Sequence, residues 1–208
     1  MGLVSGGVSG FSLLHTDTGG YDSFQVKFAG LDIPIIARSP ELLMRWIELN
    51  AFTAVFRTHE GLDPAVAAQF DSSAATLAHT ERFGKVYKGL ALYRKRLVAE
   101  AAQHGHPVVR HPFLHYPDDP NTHALRYQFL LGPDLMVAPV LDPGADTVEV
   151  YFPKGSDWLD LWTGADVGKA GEWARMPALL SKPAVFIRKG ASSRAEIEGG
   201  LRSVGILA

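Results

Sequence analysis

The rhythm of hydrophobic positions changes once along this chain, near Pro107. Before that point, short apolar runs alternate with stretches of helical spacing. Phe11, Leu13 and Leu14 form an apolar run between Gly10 and His15, bounded by turn residues, and predict a short buried strand. Thr16 to Arg38 is then long and glycine-containing, and connections of this length in compact domains tend to carry function. Ser39-Pro40-Glu41 is a helix start: a hydroxyl cap, a proline in the first turn and an acid beside it. Leu42, Leu43, Trp46, Ile47, Leu49 and Phe52 continue at helical spacing. TAVFR, residues 53–57, predicts a second strand, followed by a polar loop from Thr58 to Ser72. One amphipathic helix is expected from Ser73 to His104, with Phe83, Val86, Tyr87, Leu90, Leu97, Val98 and Ala101 on one face and Gly105 and Pro107 as its stop.

Strand, loop, helix, strand, loop, helix is the order of two βα units of a parallel sheet. After Pro107 the units shorten. PVVRHPFLHY, DLMVAPVL, TVEVYFP, WLDLW and AVFIR are separated by Pro, Gly and Asp turns and predict an antiparallel β-sandwich, with room for a helix around Thr122 to Leu131. The expected division is therefore 1–106 for the βα part, 107–191 for the sandwich and 192–208 for a weakly patterned tail.

Composition narrows the function classes. Hydrophobic residues are 47% of the 208 and charged residues 20%, which suits a globular fold and not a disordered chain. The net charge of −2 supplies no broad attraction to nucleic acid or anionic membrane. The basic residues of the long helix are interspersed with Glu81 and Glu100 and lack interleaved aromatics, so they form a solvated face. With no cysteine there is no disulfide or thiolate metal site, and a cytoplasmic location is the expectation. No apolar run reaches ~18 residues, and the start, MGLVSGGVSGF, lacks the basic region of a signal peptide.

Two polar clusters follow directly on the two expected strands: HTDTGGY at 15–21 and RTHEG at 57–61. In a βα barrel the loops after strands form the active face, and paired glycines let the backbone turn away from a positioned carboxylate. On residue types alone each candidate has a plainer reading. Asp17 serves equally as a loop cap, Tyr21 as a packed ring and His59 as a structural histidine. His15, His104, His106, His111 and His115 show no metal-ligand spacing and read as structural. No metal and no cofactor is expected. Trp158 and Trp162 read as sandwich core, and Asp118-Asp119-Pro120 as a solvated turn.

HTDTGGY, RTHEG, HPVVRHPFLHYPDD, YQFLLGPDLMVAPVL and DLWTG, in this order, resemble the C-terminal portion of glycoside hydrolase family 31, over roughly residues 5–190. The resemblance implies a retaining α-glycosidase with a (β/α)8 TIM barrel followed by β-sandwich domains. The chain would then hold the last two βα units of the barrel and the sandwich. Tyr21 after the two glycines and Glu60 in RTHEG look most like the α-sulfoquinovosidases, with α-glucosidase and α-xylosidase as the alternatives. A non-catalytic carbohydrate-binding or structural fragment is the reading from a different class. Thr18 departs from the family's more usual isoleucine. The role of Glu60 stays open.

The family pattern also implies roles. Asp17 would be a carboxylate in the floor of the sugar site. Tyr21 would donate its hydroxyl to a sulfonate, Arg57 would orient pocket carboxylates, and His59 would bond a sugar hydroxyl. The nucleophile and acid/base aspartates are expected upstream of Met1, so none of the catalytic carboxylates is expected within these residues. Asp17 and Asp22 are not read as that pair. The expected partners are a carbohydrate substrate and the N-terminal half of the barrel.

Overall fold

The computed structural model describes residues 2–208, and the side chains of all of these except 32, 34 and 35. The chain opens with a helix, α1 (Gly2–Val8). Three glycines make this a poor helix by propensity. Tertiary packing overrides that: Leu3 and Val4 are buried, and a side chain on Gly7 would stand 2.7 Å from the carbonyl oxygen of Val109.

The strands expected at 10–15 and 53–57 do not form ladders. Both segments contain bends, and the loops that follow them meet at one parallel bridge, Thr18 to Thr58. Phe11 and Leu13 are more than half exposed, so the apolar run there does not mark a buried strand. The long loop after the first segment is not featureless either. Strands β1 (Phe24–Phe28) and β2 (Leu31–Ile36) pair as an antiparallel hairpin. Its two-residue turn places Ala29 and Gly30 at φ 52° and 80°, the doubly left-handed geometry of a type I′ turn. Ala-Gly is an unusual pair for such a turn, so its sequence signal is faint.

Helix α2 (Pro40–Asn50) begins as its sequence predicts: Ser39 accepts from the Leu42 N–H, and Leu43 and Ile47 are buried. The single long helix expected from 73 to 104 is two. α3 (Ala74–Gly89) starts on a capping box of Ser73 and Thr76, and α4 (Ala91–His104) ends at Gly105 in the left-handed conformation. The break at Leu90 falls where Gly89 touches Gly200, a contact no local pattern announces. Arg94, buried, donates to the carbonyls of Ala51, Thr53 and Tyr87 and so closes the end of α2.

The second half follows as β3 (Val109–Arg110), a 3-10 turn (Pro112–Leu114), α5 (Pro120–His123), β4 (Phe129–Leu131), β5 (Leu135–Ala138), β6 (Thr147–Tyr151), β7 (Trp158–Asp160), β8 (Asp166–Val167), β9 (Trp173–Pro177), β10 (Ala184–Arg188) and α6 (Arg194–Ser203). The helix expected within 122–131 is therefore a single turn followed by a strand. β9 carries no strand signal of its own: WARMP has no buried residue and ends in a proline. Six strands make one antiparallel sheet in the order β3-β4-β5-β10-β7-β8, and β6 and β9 form a separate ribbon.

The six-stranded sheet is buried on both faces. Phe129, Leu131, Leu135, Val137, Val185 and Ile187 face the helices. Leu130, Met136, Ala138 and Phe186 face Val150 and Phe152 of the β6 region, with Trp158, which makes the sandwich core. That double burial is why these strands read as unbroken apolar runs. Trp162, expected in the same core, lies on the helix side: it meets Phe52 edge-on and donates to the Pro183 carbonyl. Asp119, expected in a solvated turn, is buried. It caps α5 and accepts from the Tyr151 hydroxyl at 2.8 Å and the Lys154 N–H at 2.9 Å. Residues 192–208, expected as a tail, hold α6, whose Ile197 and Leu201 are fully buried with the helix core.

The FLLGPD stretch is a structural knot. Gly132 has φ 59°, and a side chain there would come within 2.5 Å of Leu97 and of the Tyr93 hydroxyl. Next to it Asp134 is buried and receives Arg188 at 2.6 and 3.1 Å, and Ser193 donates to its second oxygen.

Two histidines are held neutral in this core. Burial pushes His79 and His115 each down to about 4. Geometry agrees: His79 Nε2 faces the Met44 carbonyl while Nδ1 meets the Ser181 hydroxyl, and His115 Nε2 faces an Arg110 N–H donor. Both folded values lie below the unfolded ~6.5. Their stabilisation is present above that pH and is lost as pH falls towards 4. Burial raises Glu48, which acts in the opposite sense around its own titration. The melting temperature is expected to fall between pH 7 and 4.5, with the two imidazoles titrating below pH 5 by NMR. A pH-independent melt would contradict neutral buried imidazoles.

The hairpin carries the main exposed apolar surface: Phe24, Val26, Phe28, Leu31, Ile33 and Ile36 are each more than 40% exposed. Contiguous surface of this kind drives association. The 208-residue chain is expected to sediment as concentration-dependent oligomers and to bind a hydrophobic dye. A monodisperse, dye-negative monomer would count against this.

Candidate functional site

The two polar clusters meet. The Asp17 carboxylate lies 3.2 Å from His15 Nε2 and 3.4 Å from Arg57 Nη2. Four residues on, Tyr21 sets its ring edge-on to His59, centroids 4.8 Å apart. Asp17 and His59 are half-buried, and Tyr21 and Arg57 are exposed, so all four line a solvent-facing cluster. His15, read as structural, joins it.

The glycines explain how the first loop is shaped. Gly20 N–H donates to the Asp17 carbonyl at 2.8 Å, closing a tight turn, and Gly19 and Gly20 have φ of 87° and 84°. A side chain on Gly19 would stand 2.9 Å from both Arg38 and Leu43. The turn can therefore sit directly on the α2 helix, which leaves Asp17 on one side and Tyr21 on the other.

Three residues outside the expected site set hold the loops together. Arg38 is buried under both: it donates to the carbonyls of Gly20 at 3.1 Å, Glu60 at 3.1 Å and Ala68, and to Gln69 Oε1 at 2.7 Å. Burial lowers its pKa, and these acceptors compensate a guanidinium taken from water. Asn50, fully buried at the end of α2, donates to the Thr16 carbonyl and the Thr18 hydroxyl. Thr18 in turn donates to the Arg57 carbonyl at 2.6 Å. The hydroxyl at the position where isoleucine is more usual is thus the bolt between the two clusters. A signal for Asn50 existed: it lies on the buried face of α2, seven residues after Leu43 and three after Ile47, where an amide demands partners.

The second loop is fixed from the hairpin side. Ser23 Oγ accepts from the Asp63 N–H at 2.7 Å, and Gln25 donates to the Asp63 carboxylate. The Gly61 N–H donates to His59 Nδ1 at 3.2 Å. Nδ1 is then an acceptor, and the neutral ring carries its proton on Nε2, a donor facing away from its own loop. The Glu60 side chain is exposed, and its backbone carbonyl is what the fold uses.

Chemically, this surface offers a phenol, an imidazole N–H and a guanidinium as donors, and the carboxylates of Asp17 and Glu60 as acceptors. Asp17 is already shared between His15 and Arg57, and Asp63 is engaged by Gln25. Among the described residues no group of three His, Asp or Glu could hold a metal ion, and no helix is long and apolar enough to cross a membrane.

Residues 1–85 match the model of the glycosyl hydrolases family 31 TIM-barrel domain, and residues 105–191 that of the family 31 C-terminal domain. The sulfoquinovosidase of Escherichia coli K12 is 41% identical over 198 residues, 95% of this chain and 27% of that protein. Alpha-glucosidase 2 of Bacillus thermoamyloliquefaciens is 36% identical over 80% of this chain and 21% of that protein. Among solved structures, a family 31 sulfoquinovosidase from E. rectale, in complex with an aza-sugar inhibitor, superposes with a TM-score of 0.83 at 34% identity, covering 99% of this chain and 29% of that one. The chain thus spans less than a third of the length of these relatives.

Proposed function

The chain belongs to glycoside hydrolase family 31, and from that premise we propose that it supplies the last substrate-contacting loops and the C-terminal sandwich of a retaining α-glycosidase acting on sulfoquinovosides. The observation that carries the substrate class is Tyr21, exposed and set edge-on to His59, four residues after Asp17. A sulfonate is a permanent anion. It requires donors and excludes a facing carboxylate, and a phenol hydroxyl meets that requirement. A glucoside presents a hydroxyl at the same carbon and needs an acceptor as well.

The roles extend the family resemblance to this cluster, and its donors and acceptor support them. His59 Nε2–H donates to a ring hydroxyl. Asp17, set by Arg57 and His15, accepts from another. Arg57 orients the pocket carboxylates, of which Asp17 is within 3.4 Å. Retaining hydrolysis uses two carboxyl groups ~5 Å apart that flank the scissile bond. We assign neither to this chain: Asp17 is held by Arg57 and His15, and no second carboxylate is paired with it across the cluster.

Tyr21→Phe tests the substrate class, in an enzyme carrying this segment. It keeps the ring against His59 and removes one hydrogen bond to a charged group. A loss of ~1.5–3 kcal/mol is expected, about 10- to 150-fold in kcat/KM, on sulfoquinovosides. The matching glucosides should be affected far less. His59→Ala should reduce both to a similar degree, since its contact is to a hydroxyl they share. Equal losses on both substrates in Tyr21→Phe would make Tyr21 a packing residue and favour the α-glucosidase alternative.

A further inference from the structure

A second cleft lies on the sandwich, away from the Asp17–His59 cluster and sharing no lining residue with it. Its volume is about 710 Å³. That falls within the ~300–1,000 Å³ usual for small-molecule sites. Trp173 and Glu149 stand on the ribbon of β6 and β9, Tyr127 and Arg126 on the segment leading into β4, and Asp142 on the third wall. Trp173 and Tyr127 are 55% and 45% exposed, unusual for two large aromatics on one concave surface.

The ribbon's register explains the placement. Val148, Val150, Ala174 and Met176 face the sandwich core, so their neighbours Glu149, Trp173 and Arg175 face the cleft, with Glu149 opposite Arg175. Trp173 is also pre-set. Its ring packs on Tyr151 at 5.3 Å, and the Tyr151 hydroxyl is fixed by the buried Asp119 carboxylate at 2.8 Å. The exposed platform thus rests on a satisfied buried network, which lowers the cost of ordering it on binding.

The polar groups around it are unspent. Among the described residues, Arg126, Glu149 and Asp142 form no side-chain hydrogen bond or ion pair, and Arg175 donates only to the Thr147 hydroxyl at 2.9 Å. Two guanidiniums and two carboxylates cancel in net charge, so the cleft selects neither anions nor cations. What needs donors and acceptors together, beside an apolar face, is a polyhydroxylated ring: each hydroxyl both gives and takes a hydrogen bond while the axial C–H face lies on an aromatic plane.

We propose that this cleft is a non-catalytic binding site for neutral pyranose rings, with Trp173 as the stacking platform, Tyr127 as the facing wall and Glu149 as the principal acceptor. The site holds whether or not the first cluster binds a sulfonate.

Saturation-transfer NMR on the 208-residue chain with maltose as the probe tests it. Binding at ~millimolar Kd is expected. Trp173→Ala should weaken it at least about 10-fold, and Glu149→Gln, which leaves the platform intact, by about 3- to 10-fold. Lys88→Ala, on the exposed face of α3 and outside both sites, should leave it unchanged. No transfer to maltose, transfer retained in Trp173→Ala, or transfer lost in Lys88→Ala would each overturn the proposal.

Discussion

The 208-residue chain alone is expected to show no turnover of aryl α-glycosides or aryl α-sulfoquinovosides above a buffer control. Covalent glycosidase catalysis splits one difficult displacement into two easier ones through a carboxylate nucleophile, with a second carboxyl as acid and then base. Rate enhancements by enzymes run from ~10⁶-fold upward, and without the nucleophile that pathway is absent altogether. Asp17 cannot replace it from where it stands, since Arg57 and His15 hold its carboxylate and the next acid on the loop, Asp22, is exposed. The assay is release of a chromogenic phenol over days at high protein concentration, with host glycosidase excluded by a mock purification. Measurable turnover abolished by Asp17→Asn would mean that the reacting carboxylate lies in this chain after all.

The second large effect concerns stability. Asp134→Ala is expected to destabilise the fold by about 3 kcal/mol, the low end for breaking a buried ion pair. The low end applies because the Arg188 side chain keeps 32% of its surface and can be rehydrated, whereas that of Asp134 keeps only 4%. The substitution also strips an acceptor from Ser193, at the start of α6, so the loss reaches beyond the β4–β5 turn. For a chain of this size ~3 kcal/mol corresponds to about 6–12 °C in Tm. Asp134→Asn keeps an oxygen for Arg188 and should cost less. Urea unfolding of the three proteins gives the comparison, and an Ala variant within ~0.5 kcal/mol of the parent would show that the cluster is only a surface arrangement.

Legibility in the sequence tracked how locally each feature is determined. Ser39 and Pro40 announced α2 because a cap and its helix are neighbours in the chain. The apolar runs of β4, β5 and β10 announced buried strands because both faces of their sheet are covered. The loop residues Asp17, Tyr21, Arg57 and His59 could be picked out by type and position, and the structure brings them into two touching pairs. Arg38, Asn50 and Thr18 could not be ranked in the same way. Their importance lies in which backbone carbonyls stand opposite them, at separations of 18 to 39 residues. The same holds for the break at Leu90 and for α6. An amphipathic helix of ten residues has its partner far away in the chain, and its low-hydrophobicity sequence reads as a tail until that partner is in place.

Gly89 and Gly200 stand so close that a side chain on Gly200 would come within 2.1 Å of the Gly89 carbonyl, and Arg96 reaches Glu196 across the same seam. Translation delivers α3 and α4 roughly a hundred residues before α6, and domains acquire structure as they leave the ribosome. Leu90, Tyr93 and Leu97 therefore wait, through synthesis of the whole sandwich, for Ile197 and Leu201 to shield them. A nascent chain arrested anywhere before residue 194 leaves that seam open, a ready target for holdase chaperones.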